Sequence, residues 1–273
     1  MTKRVSALLA AILFAVSIFG GSHVFAAPED RPIVIQGAMD VETQFMISKL
    51  ADVEELTMGG WRFFKGTLAG YPVVIAKTEV GMTNAAASTV LAIKTFNPSA
   101  IINQGTSGGH DPKLHRYDIV LGTTSVNFGN VRTEHGDAGK GVKPEKWIPM
   151  TLTINVKGEP KEFQDFKGDS HLLKVAENMA GTYKNGKVVK GVIGSADQWN
   201  RELDRIDWIH ATYKTSAEEM ETASAAQVAE AYGVPFLGIR ILSNSEIHDE
   251  GFDPKAGVYC QEYVLNVVKK LIR

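Results

Sequence analysis

The chain has 273 residues, 44% of them hydrophobic and 22% charged, with a formal net charge of −2. This is the composition of a folded globular protein, and neither a disordered nor a fibrous chain fits it. A near-neutral charge gives no electrostatic footprint for a nucleic-acid partner, and the single cysteine, Cys260, excludes an intrachain disulfide.

Residues 1–26 carry a short basic head (Lys3, Arg4), an apolar stretch from Val5 to Phe19, and small residues leading to Ala26. This pattern predicts a cleaved secretory signal peptide. The apolar stretch, 15 residues long, is shorter than the ~20 needed to span a bilayer. A secreted or periplasmic protein with no membrane attachment after cleavage is therefore expected, with residues 27–273 forming a single domain. Along that domain, Val- and Ile-rich runs alternate with amphipathic stretches. "PIVIQGAM", "YPVVIAKTEVG", "AIINQG", "DIVLGTTS", "VVKGVIGSA" and "PFLGIRILS" read as strands, several without polar alternation, as strands covered on both faces do. Segments 83–96, 171–182 and 257–272 read as helices. The region 129–170, rich in Gly, Lys and Pro, reads as an extended loop or excursion. Alternating strands and helices predict a three-layer α/β/α sandwich with a central mixed, mostly parallel sheet.

In such sheets ligands bind beyond the carboxyl ends of the strands. Those positions here are polar and Gly-rich: "QGAMDVE" with Glu42, "NQGTSGGHD", "GSADQWN", "EEMETAS" and "SNSE". The "GTSGG" segment offers close backbone approach and the hydroxyls of Thr106 and Ser107, although a tight turn explains it about as well. The three carboxylates of "EEMETAS" suit the positive end of a helix; Glu219 and Glu221 flanking Met220 also suit a sugar, with carboxylates on its hydroxyls and the Met on its apolar face. Glu42 reads as a surface residue or a general base. Trp199, beside Gln198, can stack on a base or fill a gap. The histidines show no metal-ligand spacing, so neither metal nor cofactor is expected. Cys260 lies on an apolar helix and reads as core.

Taken in order, these pieces resemble the nucleoside phosphorylase/nucleosidase superfamily, most closely the 5′-methylthioadenosine/S-adenosylhomocysteine nucleosidases. "GAMDVE" is similar to that family's G-A-M-x-x-E, "INQGTSGG" to I-N-x-G-[ST]-[AS]-G-G, "EEMETASAAQVAEAYGVPF" to V-E-M-E-x-x-[AS]-x-A-x-V…V-P-F, and "IRILSN" to V-R-x-I-S-D. The resemblance implies cleavage of the N-glycosidic bond of a purine nucleoside, a small-molecule partner, and a homodimer or higher oligomer. It assigns Glu42 to activation of water, Glu221 to the ribosyl 2′ and 3′ hydroxyls, Met220 to the space under the sugar and Glu219 to support of that site. Gln198 or Trp199 takes the base-stacking position, and Thr106, Ser107 and Gly108 line the cleft. Asn244 stands where the nucleosidases carry an Asp that donates a proton to purine N7, and an amide cannot act as that acid. Trimeric purine nucleoside phosphorylases, which act on 6-oxopurines, carry Asn there. Two alternatives to an exported purine nucleosidase follow: a purine nucleoside phosphorylase acting on 6-oxopurine nucleosides, and a nucleoside-binding or storage protein with little turnover. Phosphorolysis needs Arg groups on the oxyanion, and Arg132 and Arg240 are the candidates. Glu246, Asp249 and Glu250 are candidates to replace the missing acid.

Overall fold

The computed structural model describes residues 31–273; the leader-like segment falls outside them. In chain order the strands are β1 (Ile33–Gly37), β2 (Ala51–Met58), β3 (Trp61–Leu68), β4 (Tyr71–Lys77), β5 (Ala100–Gly109), β6 (Ile119–Asn127), β7 (Val131–Arg132), β8 (Ile148–Pro149), β9 (Leu152–Val156), β10 (Glu159–Phe163), β11 (Phe166–Lys167), β12 (Val188–Ser195), β13 (Thr215–Glu219) and β14 (Phe236–Asn244). The helices are α1 (Gln44–Ile47), α2 (Met82–Phe96), α3 (Ser170–Asn178), α4 (Leu203–Tyr213), α5 (Thr222–Tyr232) and α6 (Lys255–Leu271).

Ten strands form one mixed sheet in the order β11-β6-β12-β13-β5-β1-β4-β3-β2, with β14 paired to both β5 and β6. The parallel pairings are β1 with β4 and β5, β12 with β6 and β13, and β14 with β5. Side-chain alternation along each strand divides the apolar runs between two cores. Ile33, Ile35, Val73, Ile75 and Ile102 meet Cys260, Tyr263, Val264 and Val267 of α6, together with α3. Val34, Val74 and Ile101 meet Ala92 and Ile93 of α2 and Ala225, Ala226 and Ala229 of α5 on the other face. Strands buried on both faces explain the continuous apolar runs, and the result is an α/β/α sandwich. Cys260 is fully buried in the first core, where burial pushes its thiol up to about 12.

The helix stops follow local chemistry. At the end of α2, Asn97 takes the left-handed conformation, φ 46°, just before Pro98; α5 ends at Gly233, φ 67°, the residue type that carries this cap at least cost. The Asp169 side chain accepts from the His171 and Leu172 N–H groups and starts α3.

Three local readings are corrected. "GTSGG" is not a loop: β5 runs through it to Gly109, pairing with β1 over Ala100–Asn103 and with β13 at Gly108 and Gly109. The first two carboxylates of "EEMETAS" are not at a helix start, since Glu218 and Glu219 end β13 and only Glu221 stands at the N-cap of α5. Region 129–170 holds two small antiparallel pairs, β7 with β8 and β9 with β10. Among the described residues no helix is long and apolar enough to cross a membrane.

Candidate active site

The carboxyl ends of β5, β13 and β14, with the turn after β1, close on a cavity of about 340 Å³, a volume within the range of small-ligand sites. The ten residues assigned from the sequence to catalysis or substrate contact all line it: Glu42, Thr106, Ser107, Gly108, Gln198, Trp199, Glu219, Met220, Glu221 and Asn244. Residues not singled out also line it, among them Met39, Val80, Glu218, Ser243 and Phe252.

Glu42 ends a single 3₁₀ turn after β1 and is 3% exposed. Its Oε2 accepts from the Ala38 and Met39 N–H groups at 2.9 and 3.1 Å, and its Oε1 from the Thr106 N–H and hydroxyl at 2.7 and 2.8 Å. Four donors from two elements fix its place. Gly105 permits this approach: a Cβ there would lie 2.6 Å from Glu42 Oε1, well inside contact distance.

Glu219 and Glu221 divide two tasks. Glu219 is held by Arg240, which donates through Nε at 3.0 Å and through Nη2, and it also accepts from the Ser195 hydroxyl and the Glu221 and Thr222 N–H groups. Burial opposes its charge, but the Arg240 guanidinium, Ser195 and Thr222 overcome that and hold the carboxyl below its usual range. Glu221 accepts from the Gly81 N–H at 2.9 Å, which Gly81 presents at φ 107°, a conformation that favours glycine. Arg240 Nη2 is 3.7 Å from Glu221. Burial and the neighbouring Glu219 push the Glu221 carboxyl up to about 8. One acid is thus committed to the framework and the other faces the cavity.

Asn244 closes β14 and is buried. Its Oδ1 lies 3.0 Å from the Ser243 hydroxyl, which is also 3.1 Å from the Ser107 carbonyl. With Oδ1 facing Ser243, the amide nitrogen is the end left toward Gly108. The candidate replacement acids stand elsewhere: Glu246 is paired with Arg201, Glu250 accepts from His115 and the Arg116 N–H, and neither they nor Asp249 line the cavity. The two candidate phosphate-binding arginines are also engaged elsewhere. Arg240 is 1% exposed and bound to Glu219 and Asn103, while Arg132 pairs with Glu134 on the surface. Among the described residues lining the cavity there are four glutamates and no lysine or arginine.

Trp199 is 66% exposed, and with Val80 and Phe252 it leaves apolar surface at the mouth. Glu218 is the residue sequence reasoning missed, although it lies inside a quoted motif: that motif has Val where this chain has Glu.

Residues 32–271 match the phosphorylase superfamily. The chain is 33% identical over 245 residues to a 5′-methylthioadenosine/S-adenosylhomocysteine nucleosidase of Anoxybacillus flavithermus, covering 88% of this chain and 98% of the relative. It is 31% identical to the nucleosidase of the same name from Bacillus cereus, covering 88% and 99%. Among solved structures it is similar to the Neisseria meningitidis nucleosidase of that name in complex with methylthio-immucillin-A, with a TM-score of 0.71 and 26% identity over 88% of this chain and 99% of that one. The fold is also shared with futalosine hydrolase of Helicobacter pylori, with a TM-score of 0.72 and 23% identity over 88% and 98%. These comparisons overturn the secreted or periplasmic placement: relatives of this kind are typically cytoplasmic enzymes. The chain is accordingly not assigned to the periplasm or the medium. By the family match and by relatives aligned over nearly their whole length, the chain belongs to the phosphorylase superfamily and is an N-glycosidic bond hydrolase of its nucleosidase branch.

Proposed function

We propose that the protein hydrolyses purine nucleosides of the 5′-methylthioadenosine/S-adenosylhomocysteine type by direct attack of water. The observation that carries this reading is the cavity's charge: Glu42, Glu218, Glu219 and Glu221 line it, no lysine or arginine does, and the guanidinium beside Glu219 and Glu221, that of Arg240, is engaged behind the lining by Glu219 and Asn103. A phosphate dianion would meet repulsion there, whereas a sugar gaining positive charge as its bond breaks would be stabilised.

In this reading the ribose lies over Met220 with its hydroxyls on Glu221. A carboxyl raised to about 8 is largely protonated at neutral pH, so it can both donate to and accept from the vicinal diol. Thr106 supplies the one rotatable hydroxyl among the four donors on Glu42; when it turns away, Oε1 gains a lone pair for a water. The water oxygen bonds to C1′ as the C1′–N9 bond breaks, and Glu42 takes the water's proton. The bonding pair leaves with the base, whose N7 edge accepts from the Asn244 amide. Asn244 provides a hydrogen bond but no proton, so the departing base takes its proton from solvent, to which Glu42 returns its own. General acid catalysis typically supplies ~10²–10⁴-fold, and turnover lower by about that factor than an Asp-bearing site would give is the expected consequence.

The test is base release from a panel of purine nucleosides, including methylthioadenosine, adenosylhomocysteine, adenosine, inosine and guanosine. Release abolished by Glu42→Gln supports the proposal. Asn244 also favours a second reading, a nucleoside-binding or storage protein; tight binding with no Glu42-dependent release would establish that reading in place of the first. We further propose a homodimer or higher oligomer, with a second copy covering Val80, Trp199 and Phe252 at the mouth; a monomer mass by light scattering would refute it.

A further inference from the structure

Glu218 is the carboxylate of the cavity to which water activation, ribose binding and the Arg240 framework give no task. It is 6% exposed and is the register partner of Gly108 on β5. Gly108 is also the register partner of Asn244 on β14. The two side chains therefore flank one glycine, and a Cβ built on Gly108 would lie 3.5 Å from both Asn244 Nδ2 and Glu218 Cγ. A hydrogen-bond donor and a carboxylate are thereby set side by side at the wall of the cavity that Gln198 and Trp199 also line.

The groups around Glu218 are donors. Its Oε1 accepts from the Asn200 backbone N–H at 3.0 Å and its Oε2 from Asn200 Nδ2 at 2.6 Å. His110 Nε2 lies 3.1 Å from Oε2. The other ring nitrogen, Nδ1, is 2.8 Å from the Thr215 hydroxyl, and Nε2 is not aligned for a hydrogen bond to Glu218. A carboxylate offers about four acceptor positions. Asn200 fills one on each oxygen, and on Oε1, the oxygen nearest Gly108, the other is open. A buried acceptor facing a ligand site rejects a group that cannot donate to it, because neither partner is then satisfied.

We propose that Glu218 is a base-reading residue, selecting purine nucleosides that present an N–H on the six-membered-ring edge while the Asn244 amide donates to the neighbouring acceptor. The shared chemistry is that N–H; its source is the exocyclic amino group of a 6-aminopurine or the N1–H of a 6-oxopurine. Val at this position, as in the family motif, has no such preference. This inference rests on the nucleosidase reading above.

The test measures dissociation constants of adenosine, inosine and purine riboside, which lacks both N–H groups, on full-length protein carrying Glu42→Gln to slow turnover. The parent is expected to bind adenosine or inosine about 10- to 100-fold more tightly than purine riboside, the range for a hydrogen bond to a charged group. Adding Glu218→Gln, or Glu218→Val, is expected to shrink that ratio to within about threefold, the scatter expected once the charged acceptor is gone. Preference for adenosine assigns the donor to the amino group. Preference for inosine, lost in 1-methylinosine, assigns it to N1–H. The near-isosteric Gln variant decides the matter if the Val variant does not melt cooperatively. A ratio retained in a folded Gln variant, or no discrimination in the parent, overturns the inference alone. Absence of both binding and base release for every nucleoside in the wild type overturns the nucleosidase reading as well.

Discussion

Replacing Arg240 by Met tests how the site is held. The guanidinium is 1% exposed, donates twice to Glu219 and once to Asn103, and lies 3.7 Å from Glu221. Met fills much of the space but leaves the Glu219 carboxylate buried without a cation, beside a second carboxyl. Breaking one side of a buried ion pair typically costs roughly 3–5 kcal/mol. For a domain of this size each kcal/mol lowers Tm by about 2–4 °C, so a fall of roughly 6–20 °C is expected in a calorimetric or fluorescence melt. Adding Glu219→Gln removes the stranded charge and keeps hydrogen-bonding capacity for Ser195 and Thr222. The double variant is expected to recover most of the loss. Base release should stay low in both, because the backbone that presents Glu221 is tied to Glu219 by the Glu221 N–H at 3.0 Å. A single variant within about 1 kcal/mol of wild type, the level of an exposed pair, or a double variant showing simple additivity, would refute this reasoning.

Two further outcomes follow. Asn244→Asp restores an ionisable group at the base edge and is expected to raise release of an adenine-type base by ~10²–10⁴-fold; indifference of the rate to the change would remove Asn244 from the base's N7 edge. For Glu221 the folded carboxyl titrates near 8 against 4.5 when unperturbed, so between those values the folded state holds a proton that the unfolded state has lost. Stability should then fall as pH rises from about 4.5 to about 8, by up to ~1.4 kcal/mol per pH unit from this group. Denaturant melts across that range should show a shallower decline in Glu221→Gln, and identical pH profiles would contradict the assignment.

Much of the frame could be read from residue order because its strands are buried on both faces. "PIVIQG" and "PFLGIRILS" have almost no polar interruption, and they became β1 and β14. The strand β13 escaped notice because "TSAEE" is polar; its two glutamates are buried because Ser195, Arg240 and Asn200 satisfy them. The edge strand β2, "ADVEELTM", is almost wholly exposed, and its apolar residues Val53 and Leu56 are scattered among charged ones and face solvent. "GTSGG" read as a loop because glycine usually marks one, yet Gly105 is there to admit the Glu42 carboxylate and Gly108 and Gly109 pair with β13. The ten residues assigned to catalysis or substrate contact came together in one cavity, since each lies in the last residues of a strand or just beyond its end and the sheet gathers those ends. Glu218 and its partner His110, 108 positions apart, could have been noticed only as a departure from the motif's Val. The Glu221 shift depends on Glu219, Arg240 and Glu42 converging in space, which spacing along the chain does not encode.

The central claim is that water, and not phosphate, attacks the sugar. Its most direct measurement follows purine nucleoside cleavage with and without inorganic phosphate while the sugar product is identified by phosphorus NMR. A cavity lined by four glutamates with no cation predicts the same rate in both conditions and free sugar as the product. Strict dependence on phosphate with a sugar 1-phosphate accumulating would contradict it.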